Sequence, residues 1–160
     1  MEGKLLIQNG RVLPMTGKVI PKGSVLVENG KITAVAERIE VPDTGSTEII
    51  DASGCLVMPG LIEAHCHVGI TEEKKGMEGD DCNENVSPVT PWLRAIDAVN
   101  TMDAAFDDAV RAGITSIMAG PGSSNVVGGQ FAFIKTKGRR IDDLIVKAPA
   151  AMKIAFGENP

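Results

Sequence analysis

Short runs of alternating hydrophobic and polar residues, separated by turn sequences, make up the first 58 residues of the chain. Two of the turns are Asn-Gly pairs, which favour hairpins because both central residues of a type I′ turn need a positive φ. Residues 1–58 are therefore expected to form a small all-β unit. The three predicted strand pairs are 4–8 with 11–13 around Asn9-Gly10, 24–28 with 31–35 around Asn29-Gly30, and 48–51 with 55–58 around Ala52-Ser53-Gly54.

The pattern changes at Pro59-Gly60, which marks a predicted boundary between a domain over 1–58 and a second domain over 59–160. Residues 61–69 form an apolar run that predicts a strand. The polar and acidic residues of 70–91, broken by glycine and proline, indicate a long loop of the kind that is usually functional or mobile.

A helical period of apolar residues predicts a helix over 103–112. Asp103 is its predicted N-cap, and Gly113 is the expected residue after its last turn. The charged residues of this helix, Asp103 among them, are expected to face outwards. Residues 114–119 then predict a short buried strand, which completes a βαβ unit. The apolar stripe of the helix consists of Phe106, Ala109 and Val110.

Two more strands are predicted, at 131–134 after a glycine-rich loop and at 150–156, where the strand is expected to be buried. An eightfold β/α barrel needs roughly 200 or more residues, and only about half that length follows Pro59. The barrel cannot close within the chain. The expected fold class is therefore α/β, with the first three or four strand units of an incomplete TIM (β/α)8 barrel after the β unit. This pattern indicates the front part of a longer protein.

Charge and composition narrow the possible partners. Sixteen basic against twenty-one acidic side chains give a net charge of -5, so we expect no nucleic-acid partner. The chain shows no export signal and no long apolar run, which predicts a cytoplasmic protein without a membrane partner. Three cysteines without paired spacing fit a reducing compartment rather than a disulfide framework.

The strand predicted over 61–69 carries the clearest candidate chemistry. Alternate side chains of a strand point to the same side, so His65 and His67 project together while Cys66 points away. Two imidazoles in this arrangement can share one metal ion. The alternative is that both are ordinary polar side chains at a strand end, because a metal site needs three or four ligands.

The residues around this pair carry a resemblance to a known family. They are similar to the first barrel strand of the metal-dependent amidohydrolase superfamily, and the preceding β unit, with residues 50–54, is similar to its amino-terminal β-sandwich piece. Glu63 stands where that superfamily more often has aspartate, and Trp92 stands where its imidazolonepropionase-like branch has histidine. The strand motif is Val57-Met58-Pro59-Gly60-Leu61-Ile62-Glu63-Ala64-His65-Cys66-His67, and the segments that resemble that branch are 90–97, 112–116, 120–123, 128–130 and 152–160.

The resemblance implies a small β-sandwich piece followed by a β/α barrel that holds one or two divalent metals, usually zinc. It makes His65 and His67 the first two ligands, and Lys153 or Glu158 the bridging group. The later histidines and the catalytic aspartate are expected beyond Pro160, because no histidine follows His67. Two imidazoles do not by themselves separate zinc from manganese or iron.

Other candidate binding residues lie in the loops. Asn125 and Gln130 are candidates for substrate contact. The loop acids Asp80, Asp81 and Glu84 either line the mouth of a site or form a solvated face.

The function implied is that of the amino-terminal portion of a metal-dependent amidohydrolase. Such an enzyme hydrolyses a non-peptide C–N bond in a small cyclic or linear amide by metal-activated water, and the 160-residue piece alone is expected to be inactive. The alternative is a non-catalytic assembly module, or a decayed remnant, with no bound metal. An open sheet edge needs a partner, so we expect a homo-oligomer.

Overall fold

The computed structural model describes residues 3–41, 47–73 and 75–160. The chain divides into two compact units, Met1–Pro59 and Gly60–Pro160. The strands described in the first unit are β1 (Lys4–Val12), β2 (Ile20–Glu28), β3 (Lys31–Ala36), β4 (Thr47–Asp51) and β5 (Leu56–Val57). The second unit contains, in chain order, β6 (Leu61–Cys66), a 3-10 helix (Gly76–Gly79), α1 (Ala95–Ala98), α2 (Ala104–Arg111), β7 (Ile114–Ala119), β8 (Val127–Lys135), α3 (Ile141–Leu144) and β9 (Ile145–Ile154).

The described strands of the first unit form one sheet in the order β3-β2-β1-β4, with β5 also paired to β1. The β1–β2 and β2–β3 pairs are antiparallel, whereas β4 and β5 both run parallel to β1. The predicted pairing of 48–51 with 55–58 is therefore wrong. Ala52 donates its N–H to the carbonyl of Gln8, and the turn that follows carries the chain from one stretch of β1 to the next.

The two Asn-Gly sequences have different structures. Asn29 and Gly30 have φ values of 51° and 76° and join β2 to β3, which confirms the predicted hairpin. Asn9 also has a positive φ, but β1 continues through it with a register shift between Ile7 and Gly10, so the first predicted hairpin is wrong. The sequence forms a β-bulge. Glycine is needed there because a Cβ on Gly10 would lie 2.6 Å from Cγ2 of Val57.

The second unit is a four-stranded sheet in the order β6-β7-β8-β9 with short helices, which confirms the α/β class. β6 and β7 are parallel, and α2 precedes β7 in the crossover, as predicted for a βαβ unit. The next two pairs, β7–β8 and β8–β9, are antiparallel and differ from a run of parallel barrel units. The reason is the short connections, 120–126 between β7 and β8 and 136–144 between β8 and β9, because a parallel crossover needs a dozen or more residues. No helix in the described part of the chain is long and apolar enough to span a bilayer.

The core of the second unit lies on one face of its sheet. Buried Ile117 and Ala119 of β7 and buried Ala132 and Ile134 of β8 belong to one cluster with Phe106 of α2. Full burial of an isoleucine or phenylalanine side chain contributes about 1.5–3 kcal/mol. This cluster packs α2 against β7.

Helix α2 begins and ends as predicted, but its N-cap is not exposed. Asp103 is only 6% exposed. One carboxylate oxygen accepts the N–H of Ala105, and the other accepts the N–H of Glu73 in the acidic loop. The expectation that Asp103 faces outwards is wrong, because a second backbone donor from a distant loop occupies it. Gly113 follows the helix with a φ of 81°.

Strand β9 is longer and more exposed than the buried strand predicted over 150–156. It begins at Ile145 and ends at Ile154, and Lys153 is its penultimate residue. β9 is the last strand in the sheet order. Its outer position explains why Met152 and Ile154 are 42% and 51% exposed.

Substitution of Asp103 by alanine should lower the free energy of unfolding by about 1–2 kcal/mol, because the helix loses its N-cap and the N–H of Glu73 loses its acceptor. Urea denaturation followed by far-UV circular dichroism measures this change. Asp107→Ala is the matched control, since Asp107 is exposed in the first turn of the same helix. Equal stability of the two variants would contradict the assigned role of Asp103.

Candidate metal centre

The two histidines lie at the carboxyl end of β6, and their rings are close together. His65 is within the strand and His67 follows its last residue. The ring centroids are 5.5 Å apart and the ring planes are nearly perpendicular, at 87°. The structure therefore brings together the two imidazoles that the sequence motif pairs.

The ring of His67 is held by a backbone carbonyl. Its Nδ1 lies 2.7 Å from the carbonyl oxygen of Gly120, at the end of β7. Because a carbonyl oxygen only accepts hydrogen bonds, Nδ1 carries the proton and the lone pair of Nε2 is left available. Metal-ligating histidines usually have such a hydrogen bond on the nitrogen that does not bind the metal. The donor chemistry of His67 thus fits a metal ligand.

The ring of His65 is more exposed and contacts an aromatic side chain. It packs edge-to-face on Phe131 of β8, with centroids 5.3 Å apart and an interplanar angle of 63°. The backbone N–H of His65 donates to the carboxylate of Glu63 at 2.9 Å. Glu63, which the resemblance marks as a departure from aspartate, therefore binds the backbone of the adjacent candidate ligand.

The pKa of His65 is lower than the ordinary value of histidine. Partial removal of water from the ring is the main cause, followed by electrostatic repulsion from Lys153 and from the protonated form of His67, while Glu63 acts in the opposite direction. A neutral imidazole is the form that binds a metal. The charge environment therefore favours the ligating form of His65.

The two candidates for a bridging group have different positions. Lys153 is half-buried on β9 opposite Gly129, and its charge acts on His65. Glu158 is exposed in the turn after β9. The structure thus brings Lys153 into the electrostatic surroundings of the histidine pair. The roles of Lys153 and Glu158 stay predictions.

Within residues 3–41, 47–73 and 75–160, no three His, Cys, Asp or Glu side chains are arranged to hold a metal ion. The described residues that fit the first ligands of a metal are therefore the two imidazoles, with Lys153 as the nearby amine. The further ligands expected beyond Pro160 stay a prediction.

The two candidate substrate residues make hydrogen bonds within the chain. Asn125 is buried, and its side-chain amide donates to the carbonyls of Glu84 and Ser87 while its oxygen accepts the N–H of Glu84. Gln130 donates to the carbonyl of Pro91. Asn125 thus connects the glycine-rich loop to the acidic loop. Substrate contact by either residue stays a prediction.

The acidic loop lines a cleft of about 420 Å³. Asp80 accepts the N–H of Cys82, and Glu84 accepts the N–H groups of Asn85 and Val86, so both carboxylates also shape the loop. The lining of the cleft also includes Pro121, which directly follows Gly120. The loop acids therefore lie at a concave surface, next to the backbone that holds His67.

Two residues of the site were missed by sequence reasoning. Gly120 had no assigned contact with the histidines, and Phe131 was assigned only to a strand. Their proximity depends on the pairing of β7 with β6 and β8. The one available signal was the position of Gly120 directly after a predicted buried strand, where ligand-binding loops begin in α/β folds.

Comparison with known proteins shows a similarity to amidohydrolases. No family model matches the chain. A crystal structure of an amidohydrolase from Thermotoga maritima is 44% identical and superposes with a TM-score of 0.90, covering 98% of this chain and 40% of that chain. By sequence and by fold, the chain matches the amino-terminal part of amidohydrolases. The imidazolonepropionase-like branch stays a prediction.

The curated relatives that match the chain include an amidohydrolase and a deaminase. An amidohydrolase of Hapsidospora irregularis is 34% identical over 150 residues, which are 86% of this chain. A 5-methylthioadenosine/S-adenosylhomocysteine deaminase of Symbiobacterium thermophilum is 46% identical over 70 residues, or 42% of this chain. The matches span 15% and 16% of the lengths of these relatives.

Replacement of Lys153 by methionine should raise the pKa of His65, because the substitution removes a positive charge that disfavours protonation of the ring. A pH titration of the His65 ring protons by NMR measures the change. Lys137→Met is the control, since Lys137 is an exposed lysine that is not among the causes of the shift. A pKa of His65 that stays the same or falls in Lys153→Met would contradict the assigned proximity.

Proposed function

We propose that the chain is the amino-terminal portion of a metal-dependent amidohydrolase that hydrolyses a non-peptide C–N bond in a small cyclic or linear amide. The observation that carries this proposal is the histidine pair, in which the carbonyl of Gly120 fixes the proton of His67 on Nδ1. The similarity to proteins named amidohydrolase and deaminase supports the reaction class. Cytoplasmic location and the absence of a nucleic-acid partner stay predictions from the sequence.

His65 and His67 would hold one divalent ion, with zinc as the first choice for imidazole ligands. When bound, such an ion supplies a Lewis acid for the amide carbonyl and lowers the pKa of water towards neutrality. Lys153 is the proposed bridging residue, because it is half-buried and its charge acts on His65. The remaining ligands and the proton-transferring aspartate are proposed to follow Pro160.

The residues of this chain have defined roles in the proposal. The carbonyl of Gly120 orients the ring of His67 and keeps the proton on Nδ1, so that Nε2 can bind. Glu63 accepts the N–H of His65 and holds the strand backbone at this ligand. The cleft beside the acidic loop, with Asp81 and Arg94 among its lining residues, is the proposed place for the substrate.

The test is zinc binding by the 160-residue chain. Because His65 and His67 are its two histidines, the double variant His65→Ala/His67→Ala removes every imidazole. We expect zinc binding, measured by competition with a chromogenic chelator, to be lost in the double variant and weakened in each single variant.

All chains in this test carry the substitution Cys55→Ser, because Cys55 is an exposed thiol that can bind zinc by itself. Gln130→Ala, on strand β8 of the same sheet, serves as the control. Zinc affinity that is the same with and without the two histidines would overturn the proposed metal centre.

A specific observation favours the second candidate, an assembly module. Both outer strands of the second sheet expose large apolar side chains, with Leu61 and Ile62 of β6 at 50% and 60%, and Phe156 after β9 at 81%. Unpaired strand edges of this kind associate with other chains. We propose that the 160-residue chain forms a homo-oligomer through them.

Light scattering should give a mass above that of the 16.8 kDa monomer. Ile62→Lys should shift the population towards monomer, because a charge on an edge strand opposes pairing. Met77→Lys is the control, since Met77 is 95% exposed in the 3-10 helix away from both edge strands. A monomeric wild-type chain across the concentration range would contradict this proposal.

A further inference from the structure

We propose that Gly120 and Phe131 are positioning residues that together set the orientation of both imidazoles. The inference rests on the proposed function, because it assigns a purpose to the placement of His65 and His67. It concerns the two residues of the site that sequence reasoning missed. Gly120 contacts both His67 and Phe131, and the ring of Phe131 in turn contacts the ring of His65.

Both backbone polar groups of Gly120 form hydrogen bonds with the segment that carries the histidines, and its Cα lies against the ring of Phe131. Its N–H donates to the carbonyl of Cys66, the residue between the two histidines, at 3.2 Å. Its carbonyl accepts the Nδ1 proton of His67 at 2.7 Å. The backbone of one residue therefore fixes both the strand that carries the pair and the ring of one member.

The third contact of Gly120 is with Phe131. An added Cβ on Gly120 would lie 2.3 Å from Cδ1 and Cγ of the Phe131 ring, which is closer than real Cβ contacts. The ring thus occupies the space that any other residue at position 120 would need. Phe131 is 5% exposed, so its ring is confined.

Phe131 also contacts the ring of the other histidine, His65. Its ring meets that of His65 edge-to-face with centroids 5.3 Å apart, a geometry that aromatic pairs favour. The backbone N–H of His65 donates to Glu63, and its ring contacts the rings of Phe131 and His67. The position of the His65 ring therefore depends on the position of Phe131, which depends on the missing Cβ of Gly120.

Glycine at 120 is required for space rather than for backbone conformation. Gly113 and Gly129, on either side of it, have φ values of 81° and 129°, whereas Gly120 does not belong to the positive-φ glycines. An alanine at 120 can therefore keep the backbone and the carbonyl in place. Its methyl group would act on the Phe131 ring.

The first experiment is NMR of the metal-free 160-residue chain with ¹⁵N-labelled histidine. In the wild type we expect His67 as the Nδ1–H tautomer in two-bond ¹H–¹⁵N correlations, and a nuclear Overhauser effect between the rings of His65 and Phe131. In Gly120→Ala we expect this Overhauser effect to be lost and the ring signals of His65 to shift. Unchanged His65 signals in Gly120→Ala would overturn the proposal.

Gly122→Ala is the matched control for damage to the loop. Gly122 is buried two residues further on, and an added Cβ would lie 2.5 Å from Oδ1 of Asn83 and 2.9 Å from Sγ of Cys82. The clash is similar, but it lies away from the histidines. We expect both histidine spectra to be unchanged in Gly122→Ala, and shifts equal to those of Gly120→Ala would overturn the proposal.

Phe131→Leu keeps the experiment decisive where Gly120→Ala fails to fold, because it removes the ring without creating a clash. We expect the His65 signals to shift while His67 keeps its Nδ1–H tautomer, since the partner of His67 is the carbonyl of Gly120. Phe133→Leu, two residues along the same strand and half-buried, should leave both histidines unchanged. A His65 spectrum that is the same in Phe131→Leu and the wild type would overturn the role of Phe131.

Zinc affinity separates this inference from the proposed function. If the chain binds zinc, Gly120→Ala should weaken binding roughly 10–100-fold, the usual effect of losing groups that orient metal ligands. If the wild-type chain shows the expected NMR pattern but no zinc affinity, the positioning role is supported and the metal centre of this chain is not. Equal zinc affinity of the wild type and Gly120→Ala would count against the positioning role.

Discussion

The parallel pairing of β6 with β7 determines where the candidate metal centre forms. In this pair Cys66 lies opposite Ala119, so the residues that follow, His67 and Gly120, lie side by side at the carboxyl ends of the two strands. The hydrogen bond between them is a direct consequence of this register. Close approach at the other end supports the same register, because a Cβ on Gly60 would lie 2.2 Å from Cγ2 of Thr115. The core contact of Phe106 keeps the crossover helix on this pair.

A bulge in β6, within this parallel pair, affects the position of His65. Glu63 lies opposite Ile117 and Cys66 opposite Ala119, so three steps along β6 correspond to two along β7. Such an extra residue bends a strand and re-aims a side chain, and bulges are common beside functional sites. The N–H of His65, within the bulge, donates to Glu63. The carboxylate of Glu63 thus satisfies the backbone N–H of a candidate ligand.

Local chemistry explains which parts of the fold could be predicted from the sequence. The turn at Asn29-Gly30, the helix behind the Asp103 cap and the strand before Gly120 each depend on neighbouring residues, and each was predicted correctly. Asn9-Gly10 has the same local preference as Asn29-Gly30, yet pairing of β1 with β2, β4 and β5 keeps it within a strand. Similarly, Asp103 is buried because Glu73 comes from a loop thirty positions away in the chain. Contacts that depend on the register of distant strands, such as that of His65 with Phe131, leave no local signal.

The reversals of chain direction in the second sheet account for the placement of Lys153. β8 runs antiparallel to β7, so its first residues lie at the edge where β6 and β7 end. β9 reverses again, which gives it the direction of β6 and β7 and places its last residues opposite the start of β8. Lys153 is the penultimate residue of β9 and pairs with Gly129. A lysine that opened a strand would lie at the opposite edge, far from the imidazoles. The two antiparallel pairs, which depart from a run of parallel units, therefore bring the amine of Lys153 to the histidine edge of the sheet.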